Sequence, residues 1–177
     1  MTNGYGRSGG GSRQGGGRQG QQGDRGGRGD RGGWQGGPRD QDVSRIDTSL
    51  IKLRADEGGA LSPDLFDRVA REAAKAVAGD SRNQANKPTQ IRQFYDELVM
   101  WEEKARAAQD RFPEYLPFIR MLNAKAAYAR GRKHVDDNFV DFISCCVGQV
   151  SDYGTLRNFK TFFEAFLGFY KQERPTG

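Results

Sequence analysis

The run TLRNFKTFFEAFLGFYK, residues 155–171, leaves this chain few options. Leu156, Phe159, Phe163, Phe166 and Tyr170 recur at helical spacing, and Phe162, Leu167 and Phe169 widen the apolar stripe. The polar remainder is a narrow strip of Arg157, Thr161, Glu164, Gly168 and Lys171. A helix this apolar must be packed on most sides. It is predicted to sit centrally in a bundle or to line a subunit interface.

The preceding segments supply partners of the same kind. Ser62-Pro63 reads as a capping hydroxyl followed by proline at the first helical position, with Leu65, Phe66, Val69, Ala73 and Val77 as the stripe and Gly79 as the stop. Thr89 is expected to cap a long helix carrying Ile91, Phe94, Leu98, Trp101, Ala105 and Ala108, which Phe112-Pro113 ends. A third helix is expected over about 116–130, with Ile119, Leu122, Ala126 and Ala129 on one face. A fourth covers about 135–150, with Val135, Phe139, Phe142 or Ile143, Cys146 and Val150 facing inward. Ile46, Leu50 and Leu53 are spaced for a short helical face, but their segment leaves its conformation open, and Gly58-Gly59 ends whatever forms there. No strand-like alternation stands out. The predicted fold is all-α, a compact bundle of about five helices over residues 44–177.

Residues 1–43 differ in kind. Seventeen of the first 37 residues are glycine, and Met1, Tyr5 and Trp34 are the large apolar or aromatic side chains among them. Such a segment cannot offset the entropy of ordering itself, so it reads as a disordered Gly/Arg/Gln-rich arm. Its DRGGRGDRGGW stretch places Arg25, Arg28 and Arg31 among glycines. Arg-Gly segments hold single-stranded nucleic acid through charge, stacking and flexibility, so these three arginines are accessory RNA-binding candidates. They also fit a plain flexible spacer, and Asp24 and Asp30 cancel part of their charge.

The arm carries most of the net charge of +5: residues 1–40 hold seven Arg against three Asp. The body is nearly balanced, so the clustering of its charges matters more than their sum. No acidic side chain lies between Tyr115 and Val135, a window with Arg120, Lys125, Arg130, Arg132 and Lys133. A second acid-free window, between Asp80 and Asp96, holds Arg82, Lys87 and Arg92. Two such windows point to a phosphate-facing surface or, more plainly, to solubilising charge on helix faces.

Enzyme chemistry finds little footing. There is one histidine, His134, in a basic stretch that suits a surface side chain, and there is no HExxH and no phosphate loop ending in Gly-Lys-Ser/Thr. Asp96, Glu97, Glu102 and Glu103 read as the solvated face of their helix, not as metal ligands. Cys145 and Cys146 are adjacent with no second pair, which excludes a disulfide framework and a four-Cys zinc site and suits buried or half-buried thiols in a reducing cytoplasm. No apolar leader and no membrane-length run are present. No cofactor or metal is expected.

Three ordered segments carry more specific information: KPTQIRQFYDEL (87–98), AKAAYARGRK (124–133) and NFKTFFEAFLGFYK (158–171). Over roughly residues 62–172 the chain resembles the small subunit of the type III-A CRISPR–Cas effector, the Csm complex. The shared pattern is the helix start Thr89–Arg92, the helix end Tyr128–Arg132, and Glu164-Ala165 with Tyr170-Lys171 on a Phe-rich last helix. The resemblance implies a cytoplasmic, non-catalytic helical protein of antiviral defence. It implies copies stacked beside the backbone subunits, lining the groove of CRISPR RNA and target RNA, and reaching toward the large polymerase-like subunit. RNA-backbone contact is then expected from Lys87, Gln90, Arg92, Lys125, Arg130, Arg132 and Lys133, with Arg92, Lys125 and Arg132 leading. The resemblance does not extend to the arm. Two other readings stand beside it: a free-standing RNA-binding or RNA-chaperone protein using its Arg-Gly arm, and a helical protein–protein adaptor.

Overall fold

The computed structural model describes residues 45–55, 59–79 and 84–175. The expected disordered arm over residues 1–43 and its Arg25, Arg28 and Arg31 lie outside the described residues. Among those described there are five α-helices and no strand: α1 Ala70–Ala78, α2 Pro88–Ala107, α3 Phe112–Gly131, α4 Asp137–Gln149 and α5 Tyr153–Glu173. None is long and apolar enough to cross a membrane.

α5 is the central helix its sequence demanded. It packs chiefly on α1 and α2, while α3 packs chiefly on α4. Leu156, Phe159, Phe162, Phe163, Phe166 and Tyr170 are buried, and the strip from Arg157 to Lys171 faces outward. Phe142 of α4 joins this stripe, with ring centroids 4.6 Å from Phe166, 5.1 Å from Phe163 and 5.8 Å from Phe162. Phe139 continues the cluster to Phe94 of α2 at 5.0 Å. α5 starts on a capping box, in which the Asp152 carboxylate accepts from the Thr155 main chain at 2.7 Å while the Thr155 hydroxyl faces the Asp152 N–H at 3.2 Å. Cys145 is half-buried and Cys146 buried, both as free thiols, and burial pushes the Cys146 thiol well above its usual range.

Several helix starts differ from the sequence reading. Thr89 does not cap α2: the N-cap is Lys87, with Pro88 in the first turn and no side-chain cap. Proline fixes the first-turn φ without needing an N–H, so the helix can begin two residues earlier. Phe112-Pro113 opens α3 instead of merely closing α2, for the same reason. α1 is preceded by a π-helical turn, Leu65–Val69, with no capping hydroxyl bond. Glu102 is buried, not solvated, and its carboxylate accepts from the Tyr153 hydroxyl at 2.9 Å.

Residues 45–54 form a strap with a single 3-10 turn, Thr48–Leu50. Ile46, Ile51 and Leu53 are buried and Leu50 is exposed. Amide side chains of the bundle hold the strap by its backbone. Asn138 Oδ1 accepts from Ile46 N–H at 3.1 Å, and Gln149 Oε1 accepts from Leu53 N–H at 2.8 Å. Gln149 Nε2 and Asn158 Nδ2 donate to the carbonyls of Ile51 and Leu53 at 2.8 and 2.9 Å.

Candidate nucleic-acid interface

The two acid-free windows meet in space. The first turns of α2 and the last turns of α3 lie side by side, with two adjoining cavities between and beyond them. One, of about 360 Å³, is lined by Gln90, Glu97, Lys125, Tyr128 and Arg132 among others. The other, of about 380 Å³, is lined by Gln84, Lys87 and Lys133. Gln90, Arg132 and His134 belong to both, so the two form one groove. Five of the seven expected body residues converge here: Lys87, Gln90, Lys125, Arg132 and Lys133.

The end of α3 explains the placement of its cations. The helix closes in a Schellman turn, with His134 N–H donating to the Ala129 carbonyl at 2.9 Å and Lys133 N–H to the Arg130 carbonyl at 2.8 Å. Lys133 occupies the left-handed position of that turn at φ +60°, where glycine is the usual residue. The turn swings Arg132 and Lys133 out over the groove while His134 folds inward, its Nδ1 3.0 Å from Gln90 Oε1.

On the facing loop, Asn86 is buried at 1 % exposure and also takes a left-handed φ of +56°. Its Nδ2 donates to the Val77 carbonyl at 2.8 Å, and its Oδ1 accepts from Asp136 N–H at 3.0 Å. The Tyr170 hydroxyl donates to its carbonyl. Lys87 is therefore anchored one residue from a fully bonded buried hub.

The cations of the groove are not equivalent. Lys125 Nζ lies 2.6 Å from a Glu97 carboxylate oxygen. Arg132 stands over the Tyr128 ring at 5.7 Å and donates to its hydroxyl at 3.3 Å. Lys87, Arg132 and Lys133 form no ion pair among the described residues. This trio supplies the uncompensated positive charge.

Arg92 and Arg130 are not brought into the groove. Arg92 lies on the other flank of α2, its Nε 2.7 Å from Asp96 and its guanidinium over the Tyr95 ring at 5.1 Å. There it borders a separate cavity of about 430 Å³ with Lys171 and Arg174. Arg130 makes two hydrogen bonds to Asp137 at the start of α4, which hold that carboxyl below its usual range. His134, set aside in the sequence as a surface side chain, is half-buried and lines the groove. Asn86 carries no local sequence signal, because its role depends on long-range partners. Among the described residues no group of three or more His, Cys, Asp or Glu is placed to hold a metal ion.

Residues 63–176 match the family model described as Csm2 Type III-A. No curated protein and no solved structure matches the chain.

Proposed function

The chain belongs to the Csm2 Type III-A family, the small subunit of the type III-A Csm complex, and we propose that its task there is to hold RNA by the backbone without reading its sequence. The observation that carries this reading is the convergence of Lys87 and Gln90 with Lys125, Arg132 and Lys133 in one groove. These residues come from windows some 35 positions apart in the chain. Point charges and amides on helix ends suit phosphate and ribose oxygens, which are the same whatever the guide.

In this reading the groove faces CRISPR RNA and target RNA in an antiviral ribonucleoprotein of the cytoplasm. Backbone subunits, the large polymerase-like subunit and neighbouring copies of the chain are its protein partners. No catalytic step is assigned to it. Arg92 and Arg130 serve at the margins, each having to leave a carboxylate before it can meet a phosphate. Arg25, Arg28 and Arg31 add nonspecific affinity from the arm.

The test is RNA affinity as a function of salt for the full chain and for Lys87→Glu/Lys133→Glu. The variant is expected to bind unrelated RNA sequences equally more weakly and to show a flatter dependence on log salt. Loss confined to one sequence, or no loss, would overturn backbone recognition by this groove. Removal of residues 1–43 separates the readings further. Abolition of binding by that truncation alone would favour a free-standing binder that works through its arm.

A further inference from the structure

α3 carries a second stripe that the bundle does not use. Ile119, Leu122 and Ala126 face the core. Phe118, Met121, Lys125, Tyr128 and Arg132, at alternating helical spacings of three and four, share the outer face. Phe118 is 55 %, Met121 51 % and Tyr128 67 % exposed. These are the most exposed large hydrophobic side chains among the described residues.

Both aromatic rings of the stripe are braced. Phe118 lies nearly parallel on Trp101 of α2, with 13° between the planes and 5.5 Å between centroids. Tyr128 is contacted by the Arg132 guanidinium over its ring. The two rings stand ten residues apart, about 15 Å along the helix axis. Lys125 lies between them, and Lys104 stands over Trp101 at 4.6 Å. Lys125, Tyr128 and Arg132 also line the groove, so the stripe continues it without a break.

We propose that this stripe is a stacking platform for unpaired bases of single-stranded RNA running out of the backbone groove. The proposal rests on the groove reading above and adds a second mode of contact to it. Charge decides the class of occupant. The centres of protein–protein interfaces are depleted in charged side chains, yet here a lysine occupies the middle of the stripe, and cations stand over the Tyr128 ring and over Trp101, on which Phe118 stacks. Alternating aromatic faces and cations are what a flexible polyanion with flat bases requires. Every base has a π-face, so stacking tolerates any guide or target sequence. Bases already stacked and paired in a duplex have no free face to offer. The platform therefore distinguishes single strands from duplex, which phosphate contacts alone do not do.

The experiment uses the full chain with a single-stranded RNA containing 2-aminopurine and a blunt RNA duplex of equal length. Phe118→Ala and Tyr128→Ala are each expected to lower single-strand affinity at least about fivefold. Phe118→Ala, which lies outside the groove lining, should leave duplex affinity and the salt slope unchanged, because no phosphate contact is lost. Tyr128→Phe, which keeps the ring, should retain affinity. Binding should quench 2-aminopurine in the parent protein and not in the double alanine variant. Equal losses on both RNA forms for Phe118→Ala, no loss on the single strand, or absence of quenching would each overturn the platform. So would unchanged RNA affinity together with release of a co-purifying protein, which would make the face a protein-docking surface. Lys87→Glu/Lys133→Glu separates the two readings. If it alone weakens binding, the groove stands and the platform falls; if it has no effect, the groove reading itself fails.

Discussion

The main-chain N–H of Asn86 donates to the main-chain carbonyl of His134 at 2.8 Å. This bond joins the two loops that carry the cations of the groove, with Lys87 next to one partner and Lys133 next to the other. The side chain of Asn86 reaches α1 through Val77 and the head of α4 through Asp136, while Tyr170 of α5 bonds its carbonyl. A single buried amide thus sets the width of a site it does not line.

Asn86→Ala should be among the more damaging single substitutions in the bundle. It orphans the Val77 carbonyl and the Asp136 N–H, at about 1–3 kcal/mol for each group left without water or partner. It also leaves a β-carbon at φ +56° without the side-chain hydrogen bonds to Val77 and Asp136 that hold asparagine there. Asn86→Gly loses the same bonds but relieves the backbone, so it should be less destabilised than the alanine variant by about 1 kcal/mol. Urea unfolding of both variants checks the order. Equal stabilities would mean that the left-handed backbone contributes nothing.

The strap illustrates what the sequence could not disclose. The α5 stripe was legible because helical periodicity is local and eight large apolar side chains repeat it. The stripe of α2 was legible for the same reason, and so were the two acid-free windows. The strap has no period to read. Ile46, Ile51 and Leu53 are buried because Asn138, Gln149 and Asn158, 92 to 105 positions later, bond its backbone. The acid-free windows concealed ion pairs in a similar way. Arg92, Lys125 and Arg130 find Asp96, Glu97 and Asp137, acids that lie outside the windows in sequence but within reach in space.

Two truncations test the strap. Removal of residues 1–43, whose Gly-rich composition cannot offset the entropy of ordering, should leave the melting temperature unchanged. Removal of residues 1–54 strips three buried side chains from the bundle and should lower it sharply. Leu53, at 0 % exposure, provides a gentler version: Leu53→Ala should cost about 2–5 kcal/mol in chemical denaturation. The strap precedes the matched stretch, which starts at residue 63. A bundle that remains as stable without residues 1–54 would show that the strap is an addition with no structural share.

Acid should loosen the start of α5. Partial burial pushes the Asp152 carboxyl up, but hydrogen bonds from the Thr155 main chain, the Ser151 hydroxyl and the Thr155 hydroxyl outweigh it, and the net shift is downward. A carboxyl depressed in the folded state contributes stability that is fully present above its unfolded value, about pH 3.9, and is lost as pH falls through the lower folded value. Asp152→Asn keeps a capping side chain but cannot titrate. Its stability should be lower than the parent's near neutrality and should fall less steeply below about pH 4. Parallel acid titrations of the two proteins would refute this if their slopes coincide.

Lys133 holds a position that favours glycine. Lys133→Gly should raise stability by up to about 1 kcal/mol, by relieving the left-handed backbone at the end of α3. The same change removes one of the three groove cations that form no ion pair among the described residues, so RNA affinity should fall. Lys133→Gln separates the effects, since it should lose affinity without gaining stability. Thermal melts and RNA titrations of the three proteins decide whether stability and charge conflict at this residue.

Glu97 restrains Lys125, and that leads to a gain-of-binding test. Their 2.6 Å contact is internal to the groove wall, with the Glu97 side chain at 21 % exposure and Lys125 at 50 %. A phosphate approaching Lys125 must compete with a carboxylate already in place. Partly exposed pairs of this kind contribute only about 0.2–1 kcal/mol. Glu97→Gln should therefore cost little stability and tighten RNA binding by up to about fivefold. The gain has two separable sources, a free lysine and one less negative charge in the groove. In a Lys125→Ala background only the second remains, so the benefit of Glu97→Gln should shrink there. A benefit that stays the same in both backgrounds would assign the effect to the field of the groove and remove Lys125 from the list of direct contacts. Weaker binding by Glu97→Gln would mean that the ion pair orders the wall for RNA instead of competing with it.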